Sequence, residues 1–212
     1  MVDVTGAAVE IAENRPECGR HDDNAPATDT PYRPVPADVA AELVERMDRD
    51  QEARSGVPGR ALDDAFWAWA CQVDVDNAAW LEQVIDRYGW PRSSDVGPEA
   101  ADAAWLLAQH ADHDLDFQRR CLALLDQAVR DGEARPRHLA YLTDRVLRAE
   151  GRPQRYGTQF WHGPDHTGPL QPQPIEDPEH VDERRHTVGL DTLAEYTARL
   201  RNPPPPPPPT NP

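Results

Sequence analysis

The chain has 212 residues, with 38 acidic side chains against 22 basic ones, a formal net charge of -16 and only 38% apolar residues. That is material for one ordinary domain plus tails. A pI near 4.8 argues against a nucleic-acid surface or an anionic membrane as partner, because phosphate contacts need a basic patch built against the chain's own field.

No stretch approaches the ~20 apolar residues of a spanning helix. The first residues carry acids and no long apolar run, so a cytoplasmic protein is expected. Cys18, Cys71 and Cys121 are odd in number and lack C-x-x-C spacing, which favours buried thiols over disulfides or a zinc ribbon.

In chain order, residues 1–35 mix Pro, Asp, Asn and Thr with few large apolar groups and are expected to be a disordered arm. An α-helical domain over 36–201 follows. Its first amphipathic stripe is Ala40, Leu43, Val44 and Met47, entered near Pro36 or Asp38. A second runs through Leu81, Val84, Ile85 and Tyr88, entered by Asp74 or Asp76 and stopped by Gly89. Phe66, Trp67 and Trp69 suggest a separate short helix or loop anchor.

A third helix runs from Pro98 to about His110, a fourth from about Leu115 to Arg130, and a fifth from Pro136 to just before Gly151. Two short helices near 178–187 and 191–201 complete the domain, with Asp177 reading as an N-cap. A loop or hairpin is expected near 154–160. The expectation is an all-α domain of five to seven helices. Residues 202–212 form a tail in which Pro203 to Pro209 are unbroken; this is polyproline II, about 20 Å long at roughly 3.1 Å per residue. It suits either a proline-binding partner protein or a stiff solvated end.

The informative residues are polar ones on core-facing positions, since burial without partners costs about 1–3 kcal/mol each. The first stripe continues at helical spacing into Gln51 and Arg54. The third helix is apolar nearly all round except for Asp102, Gln109 and His110. In the fourth, Gln118 falls among Cys121, Leu122 and Leu125, and the end of the third helix should bring His110 close to it. In the fifth, Arg145 shares a side with His138 and Tyr141, while Asp144 reads equally well as an exposed partner of Arg148.

The join Gln109-His110-Ala111-Asp112-His113-Asp114-Leu115-Asp116 holds two imidazoles and three carboxylates. It suits either a divalent metal or an acid and base near neutral pH. Asp114 is explained as an N-cap of the fourth helix. No H-E-x-x-H or other specific spacing is present, so metal and cofactor stay open. Downstream, Arg155-Tyr156-Gly157-Thr158-Gln159 places donors around one glycine. Asp182, Arg184 and Arg185 read as surface charges.

The ordered set Asp50-Gln51-x-x-Arg54, Tyr88-Gly89-Trp90-Pro91, Gln109-His110-Ala111-Asp112, Leu142-Thr143-Asp144-Arg145, Tyr156-Gly157-Thr158-Gln159, Pro174-Ile175-Glu176-Asp177 and Val181-Asp182-x-Arg184-Arg185 resembles a widespread bacterial family of unknown function over roughly residues 40–201. The resemblance implies a shared site and no particular chemistry. The chain departs from the family's pattern around Trp161 to Gln171, at its Arg/Pro-rich ends and at Arg155.

The sequence therefore supports one polar pocket formed by Gln51, Arg54, Gln109, His110, Asp112, Gln118, Arg145, Tyr156 and Gln159 that binds or hydrolyses a small anionic or polar ligand. In that reading His110 is the acid or base, Asp112 its orienting partner or a metal ligand, and Arg54 and Arg145 grip an anionic group. The alternative is a non-catalytic interaction or immunity-like module whose polar network only fixes helix register.

Overall fold

A computed structural model of the protein describes residues 34–55, 64–163 and 168–202. These residues are mostly helical, with α1 (Ala37–Ser55), α2 (Asp64–Tyr88), α3 (Ser93–Val96), α4 (Pro98–Gln109), α5 (Leu115–Arg130), α6 (Pro136–Ala149), α7 (Val181–Thr187) and α8 (Leu193–Arg201). Phe160–Trp161 (β1) pairs antiparallel with Gln171–Pro172 (β2), and Pro178–His180 form a single 3-10 turn ahead of α7. Cys18, the expected arm and the proline run lie outside the described residues, apart from the few residues of arm and tail that adjoin the domain.

Helix α4 is the axis of the domain. Gly97, at a φ of 84° that side chains rarely adopt, turns the chain into it, and Pro98 occupies its first turn. Ala103, Ala104, Trp105, Leu106, Leu107 and Ala108 are all essentially without exposure, so the helix needs neighbours on every side. It has them in α1, α2, α5 and α6. The core continues through Leu43, Leu81, Leu125 and Leu142 to Phe160 and Tyr196, which tie the hairpin and α8 to the bundle. Cys71 and Cys121 are free, buried thiols. No described helix is long and apolar enough to cross a membrane.

Several local expectations are corrected. The second helix begins at Asp64, well before the expected Asp74 or Asp76, and absorbs Trp67 and Trp69 into its first turns. Asp74 reads as a cap because it is a carboxylate ahead of an apolar run, yet it is buried mid-helix with its charge met by Arg54 of α1. The short α3 has no apolar stripe to announce it, and none of its residues is buried.

Asp177 does not cap the turn that follows it. It sits at a φ of 45° with no side-chain cap bond, and its carboxylate faces His180 instead. Asp114 does cap α5, accepting from Phe117 N at 2.9 Å. Arg185, expected on the surface, is 1% exposed because three backbone carbonyls draw it inward.

Candidate functional site: a buried carboxylate–histidine network

Two polar assemblies occupy the interior. The first lies where α1, α2 and the C-terminal end of α4 meet. His110 is the residue at which α4 stops, its N–H bonded back to Leu106 O at 3.1 Å. Its Nδ1 contacts both carboxylate oxygens of Asp50, at 2.9 and 3.0 Å. Arg54, one turn after Asp50, donates from Nη1 to Asp50 Oδ1 at 2.7 Å and from Nη2 to Asp74 Oδ1 at 2.6 Å. Gln51 Nε2 donates to Asp50 Oδ2 at 3.0 Å. The Asp50, Asp74 and Arg54 side chains are at most 3% exposed.

The same group extends around the end of α4. Gln118 of α5 donates from Nε2 to Gln109 O at 3.0 Å, satisfying a carbonyl that a helix end leaves without an intrahelical partner, and to Asp112 Oδ1 at 3.1 Å. Arg145 of α6 grips Asp112 with two parallel bonds, Nε to Oδ1 at 2.6 Å and Nη2 to Oδ2 at 2.5 Å, the bidentate geometry in which a guanidinium binds a carboxylate most strongly. The oriented partner of His110 is thus Asp50, and the expected orienting role of Asp112 is corrected. The turn after α4 carries Asp112 toward α6, where Arg145 claims it.

Burial opposes the charge on Asp50, but His110, Arg54 and Gln51 outweigh it and hold the carboxyl below its ordinary value. Burial also lowers the His110 imidazole, and the Arg54 and Arg145 cations add to the effect against the pull of Asp50. The imidazole is therefore neutral at pH 7, with its proton on the Nδ1 that faces the carboxylate. Its Nε2 has no hydrogen bond to any described residue. Burial likewise opposes the Arg145 charge, which Asp112, Asp74 and Asp50 more than restore.

The second assembly lies on the other side of α6. Successive helix residues point about 100° apart, so Asp144 turns away from Arg145 and into the loop before β1. Fully buried, it accepts from the backbone N–H groups of Arg155 (2.7 Å), Tyr156 (2.9 Å) and Thr158 (2.9 Å) and from Thr158 Oγ1 (2.9 Å). The exposed pairing with Arg148 is accordingly overturned. On the opposite side of this loop, Arg185 donates to the carbonyls of Tyr156 (2.6 Å) and Gly157 (3.3 Å), and Arg184 to that of Arg155 (2.9 Å). Gln159 Nε2 donates to Thr158 Oγ1 at 3.1 Å, and Gln154 closes the turn through Gln159 N and O.

Of the residues singled out in the sequence, Gln51, Arg54, Gln109, His110, Asp112, Gln118 and Arg145 belong to the first assembly. Tyr156 and Gln159 belong to the second, and no hydrogen bond or ion pair among the described residues joins either of them to the His110 group. Sequence reasoning passed over Asp50 and Asp74. A signal for both exists: Asp50 follows the buried Leu43 by seven residues, and Asp74 precedes the buried Leu81 by seven, so each continues an apolar stripe.

A family model, described as Family of unknown function (DUF6624), matches residues 37–203. The chain belongs to that family. The match spans every element from α1 to α8, and both polar assemblies lie inside it. Comparison with curated proteins and with solved structures finds no match.

Proposed function

We infer that the domain hydrolyses a small polar or anionic ligand at the His110 group, with the imidazole as general base. One observation carries this reading: a buried imidazole fixed by a carboxylate on Nδ1 and with no hydrogen bond from Nε2 to any described residue. In the step this supports, Nε2 takes a proton from water as the water oxygen bonds to the ligand's electrophilic atom, and the imidazolium, stabilised by Asp50, gives that proton to the leaving group as its bond to the same atom breaks. Gln51 and Gln118 supply neighbouring amides.

Arg54 and Arg145 are engaged by carboxylates of the protein itself, so instead of gripping the ligand first they frame the imidazole and add to the lowering that burial imposes on it. Tyr156 and Gln159 belong to the separate loop that Asp144 fastens and stand outside this step.

The same engagement of both guanidiniums favours a second reading, in which the network is structural and the domain is an interaction or immunity-like module. The proline tail would then meet the partner protein.

The discriminating experiment screens ester, amide and phosphate-ester substrates with wild type and His110→Asn, alongside an NMR titration of the imidazole. The hydrolase reading expects Nδ1–H tautomer signals at neutral pH and a 100-fold or greater loss of turnover in the variant, within the ~10²–10⁴ that general-base catalysis supplies. An imidazole that titrates like an exposed one, or turnover that survives the substitution, decides for the structural reading.

A further inference from the structure

Trp90 and Trp105 are buried, and the ring of Trp80 lies under the Arg46 guanidinium at 4.6 Å. Trp161 is placed differently. Successive strand residues face opposite sides of a sheet, and Phe160 turns inward, with its ring centroid 5.5 Å from that of Tyr196. Trp161 therefore turns outward, to the side of its cross-strand neighbour, the exposed Gln171. It is half-buried and stays off the core that Leu170 and Leu200 reach, and no hydrogen bond or ring contact joins its indole to another described residue. An indole combines a large apolar surface with an N–H that seeks an acceptor.

A second observation supplies an occupant. The proline run, residues 203–209, lies outside the described residues, but the point from which it starts is fixed. Arg201, the last residue of α8, donates from Nε and Nη2 to Leu170 O at 3.0 and 2.8 Å. Leu170 immediately precedes β2, whose Gln171 pairs with Trp161. Asn202 alone separates this anchor from the first proline. As polyproline II the run extends about 20 Å at roughly 3.1 Å per residue, whereas neighbouring strands stand only about 4.8 Å apart. The run is long enough to cross both strands of the hairpin.

We propose that the proline run of this chain docks across the outer face of the β1–β2 hairpin, with Trp161 as its platform. The chemistry matches on both sides. A polyproline helix makes no internal hydrogen bonds, so its carbonyls are free to accept from the indole N–H while its rings pack on the aromatic surface. Its conformation is set before it binds, which keeps the ordering cost low. The run carries no charge and so meets no repulsion from an acidic chain. A tether of one residue gives an effective concentration in the millimolar range, so even a weak contact is filled from within the same chain. A second copy or an outside protein has to compete with that local concentration. The inference concerns other residues than the His110 group and does not rest on the hydrolase reading.

The test uses the full chain labelled with ¹⁵N and follows the Trp161 indole signal by NMR. Trp161→Phe identifies that signal by its loss, and sequential assignment does so if the variant does not fold. Substituting P204G, P206G and P208G together keeps the length of the tail and removes its polyproline bias. The Trp161 indole signal is expected to shift in this variant, while that of the buried Trp105 stays in place. In C18S/T210C a nitroxide is carried by the tail alone, because Cys71 and Cys121 are buried. It is expected to remove about half or more of the Trp161 indole intensity, independently of protein concentration.

An unmoved Trp161 indole in the glycine variant, or an intensity untouched by the nitroxide, overturns the proposal and leaves the run to an outside partner. Broadening that fades on dilution and appears when unmodified ¹⁵N chain is mixed with unlabelled nitroxide chain assigns the contact to a second copy, and overturns it equally.

Discussion

The two faces of α6 handle buried charge in opposite ways. Arg145, on one face, meets a side chain, Asp112, and belongs to a network in which carboxylates, guanidiniums and an imidazole answer one another. Asp144, on the other face, meets backbone: three amide N–H groups and the Thr158 hydroxyl. Backbone donors have no alternative position, so the Asp144 side fastens a loop. Side chains can re-pair, so the Asp50–His110 side is not fixed in the same way.

The sharpest way to break this comparison is Asp50→Ala. It leaves the buried His110 imidazole without its carboxylate and Arg54 with Asp74 alone, and removal of one partner from a buried ion pair costs about 3–5 kcal/mol. Chemical denaturation should read a loss of that size, with Asp50→Asn intermediate. If the network were loosely solvated, the loss would fall under about 1 kcal/mol, as for exposed pairs.

Asp144→Ala should follow. Burial pushes the Asp144 carboxyl up while its four donors pull it back, and removing it leaves those donors unmet in the loop. A loss of about 2–4 kcal/mol is expected, given that hydrogen bonds to a charged group contribute about 1.5–3 kcal/mol each and do not add. Hydrogen exchange should speed up selectively at the Arg155, Tyr156 and Thr158 amides. Exchange that rises evenly over the whole domain would mean that this loop is not a separate unit.

Gly157 sharpens the same side at smaller cost. Its φ is 68°, and an added Cβ would lie 2.9 Å from the side-chain termini of both Ile175 and Leu193. Gly157→Ala should therefore destabilise by about 1–3 kcal/mol through backbone strain, plus whatever those two flexible ends must yield, without altering the His110 titration.

The last effect is absent at neutral pH and shows only in the pH dependence. His138 stacks on Trp105 with ring centroids 3.8 Å apart, and burial, aided by Arg135 and Arg137, lowers its imidazole to about 3. Its 3.6 Å approach to Asp102 is thus a contact of a neutral ring at pH 7. The unfolded chain takes up this proton near the ordinary value of 6.5 and the folded one only near 3. Stability therefore falls as pH drops from 6.5 toward 3, and is unaffected by this group above 6.5. His110 is shifted in the same direction. In His138→Phe, which keeps the stack, the acid slope should shrink by about 1.4 kcal/mol per pH unit across that window. An unchanged slope would place the acid sensitivity elsewhere.

What the sequence determined by itself is most of the elements and part of the set of misplaced polar groups. Gly89, Pro98, Asp114 and Pro136 mark helix ends through local backbone geometry, and the burial of Gln118 and Gln109 follows from helical spacing alone. Both are short-range properties, fixed within a few turns. What only the tertiary structure decided is who answers whom. His110 finds Asp50 across 60 residues, and Arg185 finds the Tyr156 carbonyl across 29. Periodicity says which side of a helix is buried but not which neighbour packs there, and a buried charge is satisfied by whichever opposite group the packing brings within about 3 Å. For that reason Asp74 passed for a cap and Arg185 for a surface base, and Asp144 stayed open between surface and interior, until the helices were assembled around α4.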